Sequence, residues 1–384
     1  MYHDPVRRRL CAALLATGCG LSAPSALASR ATLAGCGSLT ALLQAERQPG
    51  MAAVLVDHGR IAALSTTGRL NDTRPAPIDR HTVFELGSIT KLFTALLIFR
   101  LQQRHLLDVT APIGEYVEGL PSVWASTSLL QLLSHTSGIP NYLNEDNFLR
   151  LMPTNPAPRE LLAEVAERPL AFAPGARHAY SNTNYILLGL AIEHATGMDY
   201  WRVLQEEILS PLGMRDAGPR RADDRRRVAQ GHLFQDGHWR APPPTAPGSA
   251  WAAGGLLASI DDMARFAVAL DQHRLLPESA LKRMWCDTLL ANGSKAGWGA
   301  GWEVSDGGKV VGHGGGTAGF TGYLRHRPTD RRTLVVLINR AGDINPQGIA
   351  ERLDLGMRGC NGRLSTRPAP SLDQPGTRTT RSVP

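Results

Sequence analysis

Ser88 and Lys91 stand three residues apart in a run that is otherwise almost wholly apolar, Phe84-Glu85-Leu86-Gly87-Ser88-Ile89-Thr90-Lys91-Leu92-Phe93-Thr94-Ala95-Leu96-Leu97-Ile98. From Ser88 past Arg104 there is no Pro or Gly and the residues are apolar nearly all the way round, which predicts a buried helix with Ser88 at its N-terminus. Three residues is one helical turn, so the Lys91 amine falls within reach of the Ser88 hydroxyl. A lysine facing an apolar interior loses solvation, its pKa drops, and the neutral amine becomes a base beside a nucleophile. The free N–H groups and positive dipole end of a helix N-terminus suit the oxyanion that forms when a serine attacks a carbonyl. Taken alone, Ser-x-x-Lys occurs by chance, with Ser88 a plain N-cap and Lys91 reaching the surface.

Two further clusters supply partners. Tyr180-Ser181-Asn182 follows the turn Pro174-Gly175 and precedes a helix, so it reads as a loop that presents polar groups to a ligand. A phenol near an ammonium has its pKa lowered, so Tyr180 is expected to shuttle protons at the Ser88 oxygen, and the Asn182 amide to hold a substrate amide or ester. His313-Gly314-Gly315-Gly316 comes at the end of a strand, where missing side chains let a substrate lie along the sheet edge. There is no following Gly-Lys-Ser/Thr, no dinucleotide fingerprint, no Gly-x-Ser-x-Gly elbow and no zinc spacing, so neither metal nor cofactor is expected.

The elements that must position these residues follow from the remaining pattern. Met51 to Val56 and Arg60 to Thr66 are apolar runs split by Asp57-His58-Gly59, a hairpin signal after a first helix over Leu39 to Ala45. Helical patterns fill Ser88 to about Gln205, including Asn184 to Ala195 stopped by Gly197, and Ser259 with Asp262 caps a helix running to Leu270. Strand patterns return at Gly299 to Val304, Lys309 to Val311, Phe320 to Arg325 and Thr333 to Asn339, before a last helix over Pro346 to Leu355 capped by Asn345. The predicted class is α+β, an α/β sandwich. Its antiparallel sheet is built from both ends of the chain (about 37–85 and 251–360), with an all-helical region (about 86–250) inserted in one domain spanning 29–360.

The order Ser88-x-x-Lys91, Tyr180-Ser181-Asn182, His313-Gly314-Gly315 resembles the serine beta-lactamase and penicillin-recognising family. The likeness is to the branch of class C beta-lactamases, D-alanyl-D-alanine carboxypeptidases and related esterases. It covers nearly the whole chain after the first 28 residues and includes Leu132-Leu133-Ser134-His135-Thr136-Ser137-Gly138. The resemblance implies a beta-lactamase/transpeptidase-like fold in which Ser88 is acylated, Lys91 and Tyr180 move protons, and Asn182, His313, Gly315 and Gly316 meet substrate. The N–H groups of Ser88 and Gly316 would form the oxyanion hole, and His135 and Ser137 would be scaffold. Most beta-lactamases of this branch carry Lys-Thr-Gly where this chain has His313-Gly314-Gly315. A histidine only partly charged near neutral pH and a glycine without a hydroxyl capture a carboxylate weakly, which favours a peptidase or esterase over a true beta-lactamase. The expected substrate is a small ester, peptide or beta-lactam, and the alternative is a catalytically idle, penicillin-binding-like envelope protein. Tyr142 and Trp251, beside the motif loops, are expected at the site entrance.

The net charge of +7 dissolves on inspection. Residues 1–28 contribute three Arg and one Asp and residues 361–384 four Arg and one Asp, which leaves +2 for the body and no case for nucleic acid. Met1 to Ala28 reads as an export signal (Arg7, Arg8 and Arg9, an apolar stretch, then Ala26-Leu27-Ala28), which implies a periplasmic or secreted monomer. Leu33-Ala34-Gly35-Cys36 has the form of a lipidation box, the one expected route to a membrane. It competes with a Cys36–Cys360 disulfide, which would leave Cys286 as a buried thiol. The arginines around Arg220 to Arg227 read as a solvated loop, and residues 361–384, rich in Pro, Thr, Arg and Ser, as a disordered tail.

Overall fold

The computed structural model describes residues 38–358 apart from 73–75, 145–146, 152, 222–223, 244–245 and 247–248. Residues 1–28 (the expected export signal), Cys36, Cys360 and residues 361–384 lie outside the described residues.

Helix α1 (Leu39–Ala45) opens at Ser38, whose hydroxyl accepts from the Ala41 N–H at 3.2 Å. The hairpin follows as β1 (Gly50–Asp57) and β2 (Arg60–Gly68), turning through His58 and Gly59 at φ 48° and 71°. Next come β3 (Val83–Glu85), a 3₁₀ turn over Gly87–Ile89, and the buried helix α2 (Thr90–Gln103). Helix α3 (Asn182–Thr196) ends at Gly197, left-handed at φ 65°. After β4 (Leu256–Ser259), the Ser259/Asp262 capping box starts α4 (Ile260–Asp271). The chain closes with β5 (Glu303–Ser305), β6 (Val310–Gly316), β7 (Thr321–Arg327), β8 (Arg332–Ile338) and α5 (Pro346–Arg358).

One antiparallel sheet, ordered β2-β1-β8-β7-β6-β5, joins the two ends of the chain, with Met51 opposite Ile338 and Asp57 opposite Arg332. Successive side chains of a strand point to opposite faces, so β1 serves two cores at once. Ala52, Val54 and Val56 join Val335 and Leu337 in the large core that holds α2 and α4. Met51, Ala53 and Leu55 join Leu334, Val336 and Ile338 under α1 and α5, where Leu39, Leu43, Ile349 and Leu353 close the second core. This is the expected α+β sandwich, with α1 and α5 packed as neighbours.

The structure departs from the sequence expectations in four places. The inserted region is not wholly helical, because Gly218–Pro219 pairs with β4, which pairs on its other side with β3, and His232–Gln235 pairs with His238–Arg240 and Arg340–Gly342 in another small sheet. The strand expected from Gly299 shrinks to Glu303–Ser305, because Gly301 bends at φ 87° so close to α2 that a Cβ there would stand 2.5 Å from the Ala95 Cβ. The arginine-rich loop is pinned at two of its arginines, where Arg226 donates to the carbonyls of Asp216 at 3.0 Å and Pro219 at 2.8 Å and Arg220 to Glu85 at 2.8 Å, while Arg221, Arg225 and Arg227 are exposed as expected. Cys286 is an exposed free thiol, one residue past the end of the buried Met284-Trp285 stretch.

Candidate active site

The floor of the site is α2, buried on every side from Thr90 through Phe99. Its polar residues are spent locally. Thr90 donates to the Gly87 carbonyl at 2.7 Å and accepts from the Leu256 N–H at 3.1 Å, tying the 3₁₀ turn to β4. Ser88 lies in that turn, half-buried and facing an open cavity.

Lys91 is fully buried, and its Nζ lies 2.9 Å from Ser88 Oγ, 2.8 Å from Asn182 Oδ1 and 2.6 Å from the Ala253 carbonyl. None of these is an anion, and no carboxylate pairs with Lys91 among the described residues. Burial therefore pushes the Lys91 pKa well below its ordinary value of 10.5. A neutral amine has two N–H groups and one lone pair. The two carbonyl oxygens can only accept and take the two N–H groups, which leaves the lone pair for the Ser88 hydroxyl proton.

Tyr180 donates from its hydroxyl to Ser88 Oγ at 2.7 Å. Its loop is held by His135, whose carbonyl accepts the Ala179 N–H at 2.9 Å and whose Nδ1 accepts the Ser181 N–H at 3.2 Å. The His135 ring lies 4.3 Å from the Tyr180 ring. The sequence expectation of a lowered Tyr180 pKa is reversed: burial pushes it above the ordinary phenol value, and the nearby Glu303 carboxyl adds to the rise. Burial also lowers the pKa of Lys91, which weakens the cation on which that expectation rested, so Tyr180 stands as a donor to Ser88 Oγ. Asn182 belongs to the first turn of α3 rather than to a loop, with Ser181 at the cap position, and its N–H donates to Asn141 Oδ1 at 2.9 Å.

The glycine-rich strand divides into separate roles. Gly315 is needed by the fold, because a Cβ there would stand 2.0 Å from the Leu86 carbonyl oxygen. Gly87, at φ 51°, meets Gly316 the same way, since a Cβ on it would come within 2.6 Å of the Gly316 N and O. Gly316 lines the cavity and brings its backbone against the Ser88 turn. His313 does not line the cavity. It is fully buried, it donates from Nδ1 to the Gly314 carbonyl at 2.5 Å, and its ring lies 6.3 Å from Tyr180 and 5.4 Å from Trp298. Burial above all brings its pKa down to about 3, so the partly charged histidine expected from sequence is a neutral one.

Tyr142 lines the cavity as expected and donates from its hydroxyl to the Ser249 carbonyl at 2.5 Å. Trp251 does not. It is buried against Tyr200, 5.2 Å between rings, over Gly189, where a Cβ would meet its ring at 2.5 Å. Ser137 is scaffold, donating to Asn184 Oδ1 at 2.8 Å. The sequence reading passed over two residues on the cavity wall, Glu85 and Thr317. For Glu85 a signal existed, since it is the lone charge in the apolar run leading to Ser88. For Thr317 there was none.

The family model described as beta-lactamase matches residues 38–356. The chain is 27% identical over 298 residues to penicillin-binding protein 4* of Bacillus subtilis (strain 168), covering 71% of this chain and 64% of that protein. It is 26% identical over 311 residues to a D-aminopeptidase of Gluconobacter oxydans (strain 621H), covering 76% of this chain and 56% of that one. The chain thus spans less than two thirds of the length of these relatives. Among solved structures, the octameric penicillin-binding protein homologue from Pyrococcus abyssi superposes with a TM-score of 0.73 at 26% identity, covering 83% of this chain and 75% of the other.

Proposed function

Since this chain belongs to the beta-lactamase family, we propose that it is an exported serine hydrolase that cleaves a carboxylic ester or amide through an acyl-enzyme on Ser88. One observation carries the reading. The Ser88 oxygen is held 2.9 Å from a buried amine whose pKa desolvation pushes down and 2.7 Å from a phenol whose pKa burial pushes up.

As Ser88 Oγ bonds to the substrate carbonyl carbon, its proton passes to Lys91 Nζ. The oxyanion lies against the Ser88 and Gly316 N–H groups. Tyr180 gives its proton to the leaving oxygen or nitrogen as that bond breaks, which leaves a phenolate beside the Lys91 ammonium, whose nitrogen stands 4.9 Å from the Tyr180 ring centre. The pair is neutral overall, so a buried site tolerates it. A water molecule then attacks the acyl-enzyme and gives its proton to the Tyr180 phenolate. As the Ser88–acyl bond breaks, the Lys91 proton returns to Ser88 Oγ, and acid, Ser88, Lys91 and Tyr180 are all restored.

The neutral, buried His313 argues against substrates that must be anchored by a carboxylate, hence against beta-lactams and peptides ending in a free D-alanine. A D-aminopeptidase among the relatives agrees with an amide lacking that carboxylate. The test is intact-protein mass spectrometry with a fluorophosphonate, alongside hydrolysis of 4-nitrophenyl acetate. A single adduct is expected on the wild type and none on Ser88→Ala, with turnover falling by about 10⁴-fold or more in the folded variant. Turnover surviving in Ser88→Ala would sink the mechanism.

A further inference from the structure

We infer that Glu85 makes the acyl pocket select substrates whose acyl part carries an ammonium group, a deepening that rests on the acyl-enzyme reading above. Strand β3 pairs with β4 so that Glu85 stands directly opposite Leu257, and residues opposite each other across a ladder share a face. Both line the cavity that opens on Ser88, while Phe84, on the other face, is buried in the core. Ser88 follows Glu85 by three residues, so the carboxylate sits on the strand that delivers the nucleophile.

The rest of the cavity wall contains no Lys, Arg or His among the described residues. It is made of small and apolar side chains such as Ala253, Leu257 and Ala318, together with the hydroxyls of Ser88, Tyr142 and Thr317. Glu85 is thus the one carboxylic side chain on that wall among the described residues. It is fixed in place: Arg220 donates from Nη2 to Glu85 Oε1 at 2.8 Å, with the Glu85 side chain 12% exposed and that of Arg220 30%. Arg220 itself does not line the cavity. A carboxylate accepts at two oxygens with several lone pairs, so the Arg220 contact at Oε1 leaves Oε2 able to accept from an ammonium. The half-buried setting strengthens such a contact relative to water. A carboxylate-bearing acyl group would meet Glu85 as a like charge and find no cation on the wall to offset it. An α-ammonium therefore gains at this wall what a hydroxyl in the same position does not.

The experiment compares the 4-nitroanilides of D-alanine and D-lactic acid, which have the same shape and differ in an ammonium against a hydroxyl, on the full chain and on two variants. Wild type should favour the alanyl compound in kcat/KM by about tenfold or more. Glu85→Gln should lose that preference through the alanyl substrate alone, leaving the lactoyl rate within about twofold, which also certifies folding and an intact Ser88 site. Arg220→Gln, by removing the competing cation, should widen the preference. Equal rates on the two anilides in wild type, or equal losses on both in Glu85→Gln, would overturn the inference and leave Glu85 as a partner of Arg220 only. A fluorophosphonate adduct on Ser88 without turnover of the alanyl anilide would also overturn it while sparing the acyl-enzyme reading. Absence of both adduct and turnover would overturn the two together.

Discussion

Lys91 and Arg332 are both buried basic side chains, 0% and 5% exposed, on opposite faces of the same sheet. Lys91, on α2, is met by a hydroxyl, an amide oxygen and a backbone carbonyl, and burial drives it toward its neutral form. Arg332, on β8, donates to Asp354 of α5 at 2.7 Å and lies 3.4 Å from Asp57 of β1. Asp354 in turn draws Arg358 at 3.3 Å and Arg325 at 3.6 Å. The difference shows what burial does with and without a counter-charge. Where a partner is supplied the ion pair fastens a helix to the sheet; where it is withheld burial lowers the pKa and favours the neutral amine.

The sharpest way to break that comparison is to remove the two heads and keep the stems. Lys91→Met should lower kcat by about 10³-fold or more. Its stability should stay within about 1 kcal/mol of wild type, because relief of desolvation offsets the lost hydrogen bonds to Asn182 and Ala253. Arg332→Met should do the opposite, keeping activity while costing about 3–5 kcal/mol in denaturant unfolding, because Asp354 is left buried without its main partner. Similar stability losses in both variants would erase the distinction.

A smaller effect separates the faces by pH. Lys91 binds a proton more weakly in the folded chain than in the unfolded one, so its contribution to stability rises with pH between its depressed value and 10.5. Turnover, which needs the free amine, should rise through the same depressed value. His313 acts in the same sense lower down: the unfolded chain takes up its proton near 6.5 and the folded chain only at about 3, so stability is lost as pH falls through that window. His313→Gln should flatten this acid slope in pH-dependent melts, and an unchanged slope would show that His313 is not held neutral. The smallest effect is expected on the rim of the rear face. Arg352 pairs with Glu46 at 2.8 Å across α5 and the end of α1, but its side chain is 59% exposed. Arg352→Ala should therefore cost less than about 1 kcal/mol, in contrast to Arg332 on the neighbouring network.

Much of this was legible in the sequence because it is periodic or local. Apolar runs and turn signals placed β1, strand patterns placed β7 and β8, the Ser259/Asp262 box placed the start of α4, and an apolar run interrupted by Ser88 and Lys91 placed the buried helix. Side-chain roles that depend on distant neighbours were not. Gly315 looked like room for a ligand until the Leu86 carbonyl was seen against it, and His313 looked like a partial cation until its burial was known. Trp251 looked like an entrance residue until it was found buried against Tyr200.

The sequence by itself determined the class of fold and pointed to Ser88, Lys91 and Tyr180 as the proposed nucleophile, base and proton donor, since that reading rests on residue type and local spacing. Only the tertiary structure decided their protonation. The pKa of Lys91, Tyr180 or His313 depends on which groups far along the chain fold against it or fail to, as Asn182, 91 residues from Lys91, does at 2.8 Å. It decided the charge of the acyl pocket for the same reason. Glu85 acquires its cavity and its Arg220 partner only when β3, β4 and the loop around residue 220 are brought side by side.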